Sequence, residues 1–234
     1  MPPKDQKAKG QGQAKAPSSP VKTAYLVLYN AVSAAAWSVV LARTAGALAA
    51  PTSGGGVGYS GVFPAVGEWT KWTQTLAALE VLHSLLGIVR APLTTTLMQV
   101  SSRFLLVWLV VHPFPHLAVL SPFYASMLAA WSVTEVIRYS FFAVGLSTGL
   151  QPAPLVWLRY NTFFVLYPLG ITSECALVYL AADPAGRHWG DAYRYALYGV
   201  LAVYVPGAYT LYTHMMAQRR KVMRSLKSKD AKTQ

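Results

Sequence analysis

The chain has 234 residues, of which 54% are hydrophobic and only 12% charged, with a mean hydropathy of +0.35. Soluble domains carry about 25% charged residues, so this composition excludes a soluble globule as well as disorder, collagen and coiled coil, and the length fits one membrane domain with short polar tails. The net charge of +12 does not mark a nucleic-acid binder: the first 24 residues and the last 16 supply +10 of it, and phosphate tracking needs a basic face on a folded module.

Residues 1–20 are rich in Lys, Gly, Gln and Pro without apolar periodicity, which predicts disorder. A membrane span needs about 20 mostly apolar residues. Segments of that kind run near 24–49, 73–89, 93–111, 117–148, 155–182 and 191–217. The second is short, and the fourth is long enough to hold a tilt or a break. Turn chemistry separates them at 51–61, Arg90-Ala91-Pro92, 112–116, 151–154 and 183–191, the last with Pro184 and Gly186. Both tails are basic, so the positive-inside rule places both in the cytosol and requires an even number of spans. The expectation is an all-α fold, a polytopic membrane bundle of six transmembrane helices with both termini cytosolic. The catalytic domain would be 24–217, between a disordered basic tail (1–23) and a second basic tail (218–234). The far-side loops would be 50–72, 112–116 and 183–191, with Arg43 the one dissenting charge.

An ionisable side chain at mid-bilayer costs about 2.5–3.5 kcal/mol on insertion scales, so each one is a functional candidate. The second segment carries Glu80 and His83, the third Gln99 and Arg103, the fourth Glu135 and Arg138, the fifth Arg159, Tyr160, Tyr167 and Glu174. Glu80, Arg103 and Glu135 also read as a structural polar core of internal ion pairs, for example Glu80 with Arg103. Tyr167 and Glu174 lie seven residues apart, two turns along roughly one helix face and about 10.5 Å along the axis. A phenol and a carboxylate at that spacing suit proton transfer at one substrate. Pro168 and Gly170 lie between them, where a kink would widen a cavity. In the six-span topology Arg90, Arg138 and Arg159 ring the cytosolic mouth. Guanidinium forks suit a phosphate-bearing substrate there, and plain positive-inside bias places the same residues.

His83 to Arg90 has the H-x-x-x-G-x-x-R outline of a tyrosine-phosphatase loop, yet position 84 is serine and the nucleophilic thiolate is absent. Cys175 is the sole cysteine, which excludes an intramolecular disulfide framework and a multi-thiolate metal site, and the five histidines show no metal-site spacing.

Four blocks carry a wider resemblance: residues 79–108, WSVTEVIRYSFFA at 131–143, WLRYNTFFVLYPLGITSE at 157–174 and YVPGAYTLYTHMMAQRRK at 204–221. In this order the chain after residue 24 resembles the very-long-chain (3R)-3-hydroxyacyl-CoA dehydratase family, also called protein-tyrosine-phosphatase-like membrane proteins. The resemblance implies a multi-pass enzyme of the endoplasmic reticulum membrane. It would convert 3-hydroxyacyl-CoA to trans-2-enoyl-CoA in the third step of fatty-acid elongation. The family's catalytic tyrosine and glutamate fall on Tyr167 and Glu174. Arg90, Arg138, Arg159 and Tyr160 then become candidates for binding the CoA phosphates or the thioester. No cofactor or metal is implied, and the expected partners are acyl-CoA, membrane lipid, and the elongase, ketoacyl reductase and enoyl reductase of the cycle. A non-catalytic scaffold or a transporter is the alternative; the six segments show no similarity between halves of the kind a transporter predicts.

Overall fold

Proline and glycine set most of the helix boundaries in the computed structural model, which describes residues 19–50 and 58–233, with side chains up to Arg224. Of the tail 1–23 expected to be disordered, residues 1–18 lie outside the described residues, as does the glycine-rich stretch 51–57, whereas residues 20–23 are already helical because Pro20 opens the first helix. Helix α1 (Pro20–Ala49) opens with proline at its first position, where a missing N–H is no loss. A 3-10 turn (Gly58–Gly61) leads into α2 (Val62–Thr75) and α3 (Ala78–Leu85). Helix α4 (Leu93–Phe104) passes directly into a π-helical stretch, Leu105–Val111, closed by the His112 N–H donating to Val107 O at 3.1 Å. Then come α5 (Pro115–Leu120), α6 (Phe123–Thr148), α7 (Ala153–Asn161), α8 (Phe163–Trp189) and α9 (Asp191–Thr233). Gly149 ends α6 at φ 71° and Gly190 ends α8 at φ 102°, backbone conformations that a Cβ would strain. All regular structure among the described residues is helical.

Helix α6 is the centre of the bundle: α1 packs along it, α8 packs on it, and α9 covers α8. Its buried Met127, Leu128 and Trp131 join Trp37 and Val40 of α1 and Leu177, Val178 and Ala181 of α8 in one core. Trp37 and Trp131 meet edge to face with centroids 6.5 Å apart, the geometry that ring quadrupoles favour. Large apolar side chains such as Leu28, Val32, Leu109, Val165, Val203 and Val205 point outward, which suits a bundle whose solvent is hydrocarbon. Three helical stretches, Pro20–Ala49, Leu93–Val111 and Phe163–Trp189, are long and apolar enough to cross a membrane.

Several boundaries differ from the sequence expectation. Residues 62–72, read as part of a loop, belong to α2, because Val62, Val66, Thr70 and Thr73 recur at helical spacing and bury against α1 and its neighbours. Glu68 and Lys71 interrupt the apolar run without ending the helix; they pair with each other at 2.7 Å, and Lys71 also lies against the rings of Trp72 and Trp108. The second segment is thereby split between α2 and α3. The fourth does contain a break, at Ser121–Pro122, where Ser121 is extended, as a residue preceding proline prefers. Residues 183–189, expected as a connector, continue α8 straight through Pro184. The proline costs one backbone hydrogen bond, but Ala181, Ala182, Ala185 and Gly186 are buried and keep that face packed. Likewise α9 runs on through the basic segment to Thr233 rather than ending near residue 217.

Candidate active site

The seven-residue spacing puts Tyr167 and Glu174 on one face of α8, and α9 covers that face. Glu174 is buried, and both its oxygens are held by neutral donors: Oε1 accepts from Trp131 Nε1 on α6 at 2.8 Å, and Oε2 accepts from the Tyr204 hydroxyl on α9 at 3.0 Å. Tyr167 is half-buried, its hydroxyl donates to Ala208 O at 3.1 Å, and its ring lies 5.9 Å from that of Tyr212. Tyr204 and Ala208 are one turn apart, so a single stripe of α9 touches both candidates. Tyr167 and Glu174 do not bond to each other; a phenol and an oriented carboxylate stand two turns apart along the α8–α9 seam. Gly170 lies between them, buried, where an added Cβ would sit 4.0 Å from Glu174 Oε1 and 3.6 Å from Ala130 Cβ. A longer side chain there would enter the space beside the carboxylate. Helix α8 remains one helix across Pro168.

Behind Trp131 lies a chain of ion pairs. Arg103 of α4 donates to Glu135 of α6 and lies 4.8 Å over the Trp131 ring. Arg138 donates through Nε to Glu135 at 2.7 Å, and through its two terminal nitrogens to Glu80 of α3 at 2.9 and 2.8 Å. The Tyr139 hydroxyl also donates to Glu80, and Tyr29 of α1 reaches it at 3.4 Å. Two guanidiniums thus balance two carboxylates in a region where unpaired charge is expensive.

The expected polar core of Glu80, Arg103 and Glu135 comes together, but Glu80 pairs with Arg138 rather than with Arg103. The reason is local: Glu135 and Arg138 are three residues apart on α6, so one guanidinium bridges its own helix to α3, while Arg103 reaches Glu135 from α4. Of the proposed substrate contacts, Arg138 is therefore already engaged by two carboxylates. Arg159 lies against Phe141, Phe142 and Tyr160 at 4.6, 4.5 and 5.8 Å. Arg90 is exposed in the turn after α3. The phosphatase-like outline forms no anion cradle: Gly87 turns the chain at φ 66° and the Ser84 hydroxyl donates to Ala91 O at 2.8 Å.

Trp131 and Tyr204 escaped sequence reasoning. Trp131 had a signal, since Trp131, Glu135 and Arg138 recur at i, i+4 and i+7 on one helix face. Tyr204 had none, because only the pairing of α8 with α9 aims it at Glu174.

Residues 74–225, more than half of the chain, match the family described as protein tyrosine phosphatase-like protein, PTPLA. The chain belongs to the PTPLA family. It is similar to the probable very-long-chain (3R)-3-hydroxyacyl-CoA dehydratase of Schizosaccharomyces pombe, 45% identical over 86% of this chain and 94% of the relative. It is also similar to the very-long-chain (3R)-3-hydroxyacyl-CoA dehydratase PASTICCINO 2 of Arabidopsis thaliana, 39% identical over 88% and 95%. The very-long-chain (3R)-3-hydroxyacyl-CoA dehydratase 2 of Homo sapiens is 35% identical over 87% and 82%. No solved structure matches the chain. Both Tyr167 and Glu174 fall inside the matched PTPLA region, as do all members of the ion-pair chain.

Because Arg138 neutralises two carboxylates at once, Arg138→Met should cost about 3–5 kcal/mol and lower the thermal midpoint of the detergent-solubilised protein. A midpoint equal to that of wild type would show that the network contributes nothing to stability.

Proposed function

We propose that this protein is a very-long-chain (3R)-3-hydroxyacyl-CoA dehydratase, a hydro-lyase of fatty-acid elongation with Tyr167 and Glu174 as its catalytic pair. The observation that carries the reading is the Glu174 carboxylate, held from two sides and set beside Tyr167 on one helix face, in a chain whose curated relatives bear that activity in their names.

Dehydration of a 3-hydroxyacyl thioester needs a base for the C2 proton, an acid for the departing C3 hydroxyl, and a donor for charge on the thioester oxygen. Glu174 takes the C2 proton. The electron pair of that C–H bond becomes the C2–C3 double bond as the C3–O bond breaks, and the Tyr167 hydroxyl gives its proton to the leaving oxygen, which departs as water. Transfer of a proton from the glutamic acid back to the phenolate, directly or through water, restores the resting pair. Hydrogen bonds from Trp131 and Tyr204 fix the carboxylate's direction, which lowers the reorganisation required at the moment of proton transfer. Arg90, Arg159 and Tyr160 contact the substrate, whereas Arg138 is already engaged by Glu80 and Glu135.

The proposal also places the protein in the endoplasmic reticulum membrane as a six-span bundle with both termini cytosolic, working beside the elongase, the ketoacyl reductase and the enoyl reductase. The three long apolar helices fit a membrane protein, and the basic ends favour a cytosolic placement of both termini.

Purified wild-type protein given a 3-hydroxyacyl-CoA should form the enoyl thioester, while Tyr167→Phe and Glu174→Gln should each lose at least about a hundredfold in kcat. Full activity in either variant would remove that residue from the chemistry. Trp131→Phe, which deletes one charge-assisted bond worth about 1.5–3 kcal/mol, should lower kcat by roughly 10- to 100-fold and also lower the thermal midpoint, with KM for the acyl-CoA little changed. For topology, tags at the two ends should both be cut by protease added to sealed microsomes; protection of one end alone would break the even span count.

A further inference from the structure

Arg103 and Arg138 are consumed by carboxylates, but Arg219 is held differently. It lies on α9, beyond the seam that carries Tyr204 and Ala208. Its Nε and Nη2 both donate to Asn161 Oδ1, at 3.1 and 3.0 Å, and its guanidinium carbon sits 5.2 Å from the Phe164 ring centroid. Asn161 is itself anchored, since its Nδ2 donates to Trp157 O at 2.8 Å. Among the described residues no carboxylate pairs with Arg219, Arg220, Lys221 or Arg224. A basic residue that merely sets topology needs charge and no fixed orientation. Here one edge of a guanidinium fork is spent on a neutral oxygen and a ring, so its full charge is retained and its direction is set. That is how a preorganised anion seat is built.

The position of this seat matches the length of the substrate. Asn161 precedes Tyr167 by six residues and Glu174 by thirteen, about 9 and 20 Å at the helical rise. On α9, Arg219 lies eleven residues beyond Ala208 and fifteen beyond Tyr204, about 16 and 22 Å. The arm joining the thioester sulfur of CoA to its first phosphate has the backbone length of about four amino acid residues, or about 15 Å extended. A thioester lying between Tyr167 and Glu174 therefore places its diphosphate level with Asn161 and Arg219. We propose that Asn161 and Arg219, at the α7–α9 junction, form the phosphate subsite for the nucleotide end of the acyl-CoA substrate, with Arg220, Lys221 and Arg224 adding to the positive field. This inference rests on the dehydratase reading. A phosphate of a lipid headgroup shares the same chemistry and is the competing source.

The test uses the full-length protein in neutral detergent and compares two substrates: a 3-hydroxyacyl-CoA, and the same acyl group on N-acetylcysteamine, whose thioester ends before any phosphate. In wild type the ratio of kcat/KM for the CoA ester to that for the short thioester should be large. Arg219→Gln should lower that ratio about tenfold, mainly through KM for the CoA ester, and Arg219→Lys should recover part of it. A ratio unchanged in Arg219→Gln overturns the proposal, as does an equal loss on both substrates, which would mean a structural role. A defect that appears only when Arg219→Gln is assayed in anionic-lipid vesicles, and is absent in neutral detergent, assigns the seat to lipid and also overturns it. Equilibrium binding of CoA itself separates this inference from the reading beneath it. If wild type is inactive on every substrate, the dehydratase reading fails, while CoA binding weakened about tenfold in Arg219→Gln still upholds the subsite and unchanged binding removes it.

Discussion

Four charges meet inside the bundle, Glu135 buried and Glu80, Arg103 and Arg138 partly buried, and the rest of the molecule is arranged around their pairing. Glu80, Arg138, Glu135 and Arg103 come from α3, α6 and α4, and they form one alternating chain with a balanced charge. Desolvating a single member without its partner is costly enough to prevent folding of a marginally stable domain. The three helices are consequently locked in one relative register, and Tyr29 brings α1 to the same carboxylate. A core of Leu, Val and Ala alone has no such requirement, because apolar surfaces slide past one another at small cost in a lipid-like medium.

The ion chain also reaches Glu174. Arg103 lies over the face of Trp131, and the edge of the same indole donates to Glu174. Cation–π attraction and a charge-assisted hydrogen bond thus act on two parts of one rigid ring. The orientation of a carboxylate on α8 is set by a network whose members lie on α3, α4 and α6. Tyr204 completes the hold from the opposite side, so the direction of Glu174 depends on α6 and α9 keeping their places on α8. Fixing the group before the reaction is the contribution that a helical scaffold makes to proton transfer, since the chemistry itself asks only for an acid and a base.

Helix α9 has a double role. One stripe closes over Tyr167 and Glu174 through Tyr204, Ala208 and Tyr212, and its basic continuation carries Arg219 to Asn161 at the end of α7. An elongated amphipathic thioester has a reactive centre, an apolar tail and a charged nucleotide end. On the proposed dehydratase reading, the seam between α8 and α9 offers chemistry matched to the first and last of these at a spacing set by the helical rise.

The all-helical fold, the long apolar helices and the placement of Tyr167 and Glu174 on one helix face were legible before any coordinates. Those properties follow from composition and from a period of 3.6 residues, which are local. The resemblance of four blocks supplied the family. Helix packing set which carboxylate each arginine meets, because Glu80 has two possible partners in sequence and only the approach of α6 to α3 selects Arg138. It also decided that α8 continues through Pro184, since a helix breaker is outweighed only by the burial of Ala181, Ala182, Ala185 and Gly186 around it. Tyr204 became part of the site for the same reason: a residue thirty positions from Glu174 is brought to its oxygen by the packing of one helix on another, and no periodicity along the chain encodes that contact.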